Sequence, residues 1–189
     1  LEAFTTVLYF GLKLANFNYA DEVFKIISAV VFSAFGAVAL KKISQRRRKV
    51  SDASLKLWKI ALVFAIIWAI LVVVDIFIAI PNKEYLFAIV FGFAFAGTIM
   101  VAMLNKITPF LVWFHLTSSG NFDAPNMNEL LPPELARLTM KLHIASLVFL
   151  FGGYFFEPLI RVAGVFIVLE FSVLFYSILG AARIYNKLR

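Results

Sequence analysis

Cysteine is absent from this 189-residue sequence. That excludes disulfide scaffolds, thiolate zinc sites and cysteine nucleophiles. Charge is sparse: 15% of residues are charged, against about a quarter in a soluble domain. Only two histidines are present, which leaves little material for a catalytic metal. No glycine-rich phosphate loop, Ser/His/Asp arrangement or His-Glu-x-x-His motif occurs, so no catalytic residue is assigned. The alternating ten-residue strands of a membrane barrel are missing too.

Apolar residues are plentiful. They make up 62% of the chain, 22 of them Phe, and mean hydropathy is +0.92. Such a composition excludes both disorder and a water-soluble single-core domain. A crossing helix needs ~20 mostly apolar residues. Segments near Phe4–Phe17, Val23–Leu40, Leu57–Ile80, Tyr85–Leu104, Pro133–Phe156 and Pro158–Ala182 meet or approach that length. Pro81 and Asn82 supply a stop and turn, and Pro133 is a good first helical residue. The expected fold is therefore all-α: a polytopic bundle of about six transmembrane helices, one membrane domain over residues 1–189. The chain opens at Leu1 inside an apolar run, so it reads as a fragment or as N-terminally incomplete.

The net charge is +7, and its placement matters more than its size. The stretch "KKISQRRRKVSDASLKLWK" holds eight basic residues. Lys106, Arg137, Lys141, Arg183, Lys187 and Arg189 fall on the same side if the chain crosses six times. Positive residues in short loops are retained in the cytoplasm, so the basic loops and C-terminus are expected there. The same run attracts anionic headgroups. The expected partners are the lipid bilayer and other membrane subunits or further copies of the chain, not nucleic acid.

Two stripes of small residues, Ala29/Ser33/Ala37 and Ala88/Gly92/Ala96, suggest close helix approach. Gly152 and Gly153 suggest the same. Pro109 interrupts an apolar run that continues to Leu116. Either the helix kinks near Asn105–Pro109, or it stands beyond the hydrocarbon.

Charges inside a membrane are default candidates for function. Glu170 lies mid-span, and Ala163, Glu170, Ser177 and Ala181 share one helical face. The carboxyl is expected to face other helices. There it serves as a proton relay or cation site, or as a neutral acid bonded to a neighbouring helix. Asp75 lies a turn from the opposite surface, where it pairs with a basic group, caps a water cavity or reaches headgroups. His115 and His143 sit on successive spans. Membrane b-type haems are often held between two such imidazoles, so the pair is a candidate haem iron ligand set.

The stretch "KITPFLVWFHL" (Lys106 to Leu116), the loop "APNMNELLPPELARL" and "KLHIASL" resemble a segment of bacterial membrane proteins related to haem-copper oxidase subunit I. Those proteins tend to show a Pro-Phe-Leu-x-Trp-x-His pattern followed by a proline-rich loop. The likeness covers Lys106 to Ser146; His115 matches the pattern and His143 matches it loosely. It implies a helical respiratory scaffold in a bacterial inner membrane, with haem b as cofactor. An oxidase core has about twice as many spans and several more histidines, so the chain would be half of one or a non-catalytic member. Three readings stand: a redox or respiratory-complex subunit binding one haem through His115 and His143; a proton or small-solute transport subunit using Glu170 and Asp75; and a non-catalytic assembly subunit.

Overall fold

The structure is a computed structural model, and it describes residues 20–46, 52–120 and 124–188. Among these residues the fold is entirely helical. We label the helices α1 (Ala20–Ser44), α2 (Ala53–Phe77), α3 (Lys83–Ser118), α4 (Met127–Leu130), α5 (Pro133–Phe155) and α6 (Pro158–Leu188). All but the single-turn α4 are long and apolar enough to cross a membrane, which makes five candidate spans. The expected span at Phe4–Phe17 lies outside the described residues. The chain is an integral, multi-pass membrane protein.

Local chemistry sets the helix ends. Asp52 caps α2, its side chain accepting the Leu55 N–H at 2.8 Å, as N-cap residues do. Asn82 turns the chain in the left-handed region at φ 48°. Asn126 and Glu129 form a reciprocal capping box that starts α4. Pro133 and Pro158 each open a helix, where the missing N–H removes no intrahelical bond.

Successive long helices run in opposite directions. The start of α1 meets the end of α2 through Lys25 and Asp75. The start of α2 meets the far half of α3 through Asp52 and Lys106. The start of α3 meets the end of α5 through Tyr85, whose hydroxyl donates to the Leu150 carbonyl at 3.0 Å. One end of the bundle therefore collects Lys41, Lys42, Arg46, Lys106, Arg137 and Lys187; we call it the basic end. Helix α3 is central and packs on α2, α5 and α6, while α1 lies mainly along α2.

The core is built from small side chains. Ala61, Ala65 and Ala69 on α2, Ala94 and Ala102 on α3, and Ala163 and Ala181 on α6 are all essentially buried. Bulky side chains point outward: Phe77 is 80% exposed and Val168 66%. In lipid, where water exclusion does not drive helices together, close backbone approach through small residues does that work.

Two expectations need correction. The Ala88/Gly92/Ala96 stripe faces outward, and an added Cβ at Gly92 would meet nothing within 4 Å. The stripe lies in a π-helical segment, Ala88–Gly97, inside α3, and its three residues share one exposed face. The contacts run instead through the buried Ile89, Val90, Ala94 and Phe95. On α1 the contact runs through Ala29 and Gly36 rather than Ala37, which is exposed. A Cβ on Gly36 would lie 2.8 Å from the Ile66 Cγ1 atom. Pro109 does not end α3, which stays helical from Thr98 to Ser118. At 36 residues, α3 is longer than the ~30 Å hydrocarbon core requires.

Candidate functional site, a buried carboxyl-imidazole-hydroxyl chain

Glu170, His143 and Thr98 come from α6, α5 and α3, and all three are 0% exposed. Glu170 Oε1 lies 2.7 Å from His143 Nδ1. His143 Nε2 lies 2.7 Å from Thr98 Oγ1. The Thr98 hydroxyl donates to the Phe93 carbonyl at 3.3 Å. The Phe93 ring stacks on the imidazole, with centroids 4.8 Å apart and planes 16° apart.

The geometry orders the protons. A hydroxyl has one hydrogen, and here the Phe93 carbonyl takes it. Thr98 Oγ1 must then accept, so His143 Nε2 carries a hydrogen and donates it. One further proton lies between His143 Nδ1 and Glu170 Oε1. The pair is neutral overall whether that proton sits on oxygen or on nitrogen. Removing it would leave a net negative charge inside an apolar bundle, which is costly.

The π segment positions the hydroxyl. Thr98 follows Gly97 directly, and its bond to Phe93 spans the i−5 offset of that segment. Departures from α-helical bonding of this kind recur at functional sites. Glu170 is fixed by its helix: Ala163, Leu174, Ser177 and Ala181 on the same face of α6 are buried with it, as the spacing predicts. Glu170 Oε2 is buried and has no hydrogen-bond partner among the described residues. Asn105, two turns further along α3 toward the basic end, is 4% exposed, and neither of its side-chain polar atoms is bonded to a described residue. Between these levels lie Leu57, Val101 and Ala102, with Met140 against them.

The other candidate residues lie elsewhere. Asp75 sits near the end opposite the basic one, with a side chain only 3% exposed. It accepts from Lys25 at 3.2 Å and from Lys83 at 3.3 Å. It clips α1, α2 and α3 together, about four turns of α3 from Thr98. His115 is exposed near the end of α3; its Nδ1 is 2.8 Å from the Leu111 carbonyl, and Tyr185 lies edge-on to its ring.

The two histidines do not fit a shared haem iron. His143 abuts Thr98, and His115 is about 25 Å further along the same helix. Both His143 nitrogens are already engaged at hydrogen-bond distance. Among the described residues no group of three or more His, Asp or Glu is placed to hold a metal ion.

At the basic end, Asp52 meets Lys106. Burial works to raise its carboxyl, but the Lys106 hydrogen bond, the Leu55 N–H and the charges of Lys106 and Arg46 outweigh this. They hold it below the ordinary carboxylate range.

Sequence reasoning singled out Glu170 and His143 but paired neither with its actual partner, and it missed Thr98, Asn105 and the π segment. One signal was available. His143 and Glu170 lie almost equally far from the Phe156–Glu157 turn, so an α5–α6 hairpin sets them at one depth. Comparison with protein-family models, with curated proteins and with solved structures finds no match.

Proposed function

We propose that this protein is a proton-handling subunit of a membrane transport system, with Glu170 and His143 as its proton-binding pair. One observation carries the reading: a carboxyl and an imidazole share a proton mid-bundle, fully out of water, and one carboxyl oxygen is left unpaired. Intramembrane carboxylates and histidines of this kind commonly mark proton relays. A purely structural contact has no use for a buried oxygen without a partner, since that oxygen costs stability.

The pair can act as a relay by changing which proton it holds. A proton arriving at Oε2 lets Glu170 give its other proton to Nδ1, and the imidazolium can then release one from Nε2 toward Thr98. The transfers from Glu170 to Nδ1 and from Nε2 to Thr98 run along existing hydrogen bonds. Water entering the bundle supplies the proton at Oε2 and takes the Thr98 hydroxyl proton as Thr98 receives the one from Nε2. Thr98 stabilises the charged ring by accepting from Nε2, and Phe93 stacks on the ring face. The basic end faces the cytoplasm in this reading, in line with the positive-inside bias. A bacterial inner membrane would suit it. The resemblance over Lys106 to Ser146 now bears on the end of α3, α4 and the first half of α5, and it includes His143.

The test is proton flux into liposomes that hold a pH-sensitive dye, driven by a potassium diffusion potential. Wild type is expected to conduct, Glu170→Gln to lose flux, and Glu170→Asp to retain part of it. Undiminished flux through folded Glu170→Gln protein would sink the proposal.

A further inference from the structure

At the basic end, α1 and α2 part company. Gly36 on α1 touches the backbone of α2, since a Cβ there would lie 3.1 Å from the Leu62 carbonyl. Beyond that contact the two helices flank an open groove of about 380 Å³ lined by Ala39, Lys42, Ile43, Arg46, Leu55, Trp58 and Leu62. That volume falls in the ~300–1,000 Å³ range of ligand sites.

The lining is built from two facing stripes. Ala39, Lys42 and Ile43 share one face of the end of α1, and Arg46 follows two residues past that end. Leu55, Trp58 and Leu62 share one face of α2. The deep wall is apolar, and Leu62 is 0% exposed. The mouth carries two cations one turn apart, and both Lys42 and Arg46 are exposed. Neither forms an ion pair with a described residue. The Asp52 carboxylate feels the Arg46 charge but bonds to Lys106 and the Leu55 N–H. Trp58 is half-buried at the same level, where indole rings favour the headgroup region.

We propose that this groove is a binding site for an anionic phospholipid. Lys42 and Arg46 hold the phosphate, and an acyl chain lies against Ile43, Trp58 and Leu62. The chemistry discriminates among candidates. Two exposed cations without an ion pair to a described residue, over an apolar wall, suit a molecule that is anionic at one end and hydrocarbon at the other. A zwitterionic lipid brings its own cation to the same mouth, and a free phosphate leaves the apolar wall unused. Guanidinium and ammonium together give a planar donor fork and a point charge for one phosphate. The argument is independent of Glu170 and His143.

The test uses delipidated full-chain protein in detergent, with native mass spectrometry counting retained lipid. The probes are phosphatidylglycerol, phosphatidylcholine and inorganic phosphate. Wild type should retain phosphatidylglycerol over phosphatidylcholine. The double variant Lys42→Gln, Arg46→Gln should weaken that binding by roughly tenfold. The double variant Lys56→Gln, Lys59→Gln removes the same charge from the neighbouring exposed surface and should leave it intact. Both are surface changes, and circular dichroism checks their folding. Brominated phosphatidylglycerol should also quench a fluorescence component that is missing in Trp58→Phe. Equal loss in both double variants would reduce the effect to diffuse attraction and overturn the site. So would equal retention of phosphatidylcholine, or full competition by inorganic phosphate.

Discussion

Among the described residues two carboxyl groups, those of Asp75 and Glu170, have buried side chains, and their surroundings differ in kind. Asp75 has two ammonium partners, both reached from other helices, and each lysine is about 40% exposed. Glu170 has one partner, a fully buried imidazole, and keeps one oxygen unpaired. Two lysines hold Asp75 in a double ion pair that ties three helices together. An imidazole instead shares a proton, so the Glu170 pair has two protonation arrangements of similar charge. The first is a clip. The second can change state, and that difference assigns structure to one and chemistry to the other.

Substitution separates the two most sharply in flux. Glu170→Gln keeps a side-chain donor for His143 Nδ1 and so preserves the hydrogen bond, but its amide cannot release a proton. Flux should fall on the order of 100-fold, with little change in thermal stability. Asp75→Asn should leave flux near wild type. If Asp75→Asn abolished flux and Glu170→Gln did not, the roles would be reversed.

Stability gives the next largest contrast. Glu170→Ala strips the imidazole of its partner and opens a void in a dry core, at about 3 kcal/mol. Asp75→Ala should cost only about 1 kcal/mol, because its lysines can turn to solvent and headgroups. Thr98→Val leaves the Nε2 hydrogen unsatisfied and should cost about 2 kcal/mol, and Thr98→Ser should restore it. Unfolding in mixed micelles, followed by circular dichroism, ranks these variants.

Much of this contrast was legible in the chain. The i, i+7 and i+11 spacing of Glu170, Ser177 and Ala181 placed the carboxyl on the inner face, and burial bears that out. Span limits followed from apolar run length, because lipid thickness is a strong ruler. What escaped was partner choice. His115 and His143 flank a long loop at unequal distances, so the loop does not set them level. His143 and Glu170 flank a tight turn at equal ones. The π segment escaped as well. Nothing in "AIVFGFAFAG" marks a change of period, and four-residue spacing alone sets its small residues on one face without saying whether that face meets a helix or lipid. Thr98 could not be singled out, because its role exists only where that segment ends.

The smallest expected effect belongs to a third carboxylate, which bounds the comparison from the solvent side. Asp52 is roughly half exposed and pairs with an exposed Lys106, so screening keeps its pair weak. Its carboxyl is held below the ordinary value of 3.8. A lowered folded value means the folded state favours the ionised form. The contribution is therefore complete above about that pH and is lost as pH falls through the folded value. Asp52→Asn keeps an N-cap acceptor for Leu55 and removes only the charge. It should lower stability by roughly a few tenths of a kcal/mol at neutral pH and match wild type at the acid end. Added salt should shrink the difference. The Glu170–His143 pair is sealed from solvent, so Glu170→Ala should keep its deficit in the same salt titration. If salt erased both deficits alike, the distinction between a screened surface pair and a sealed one would fail.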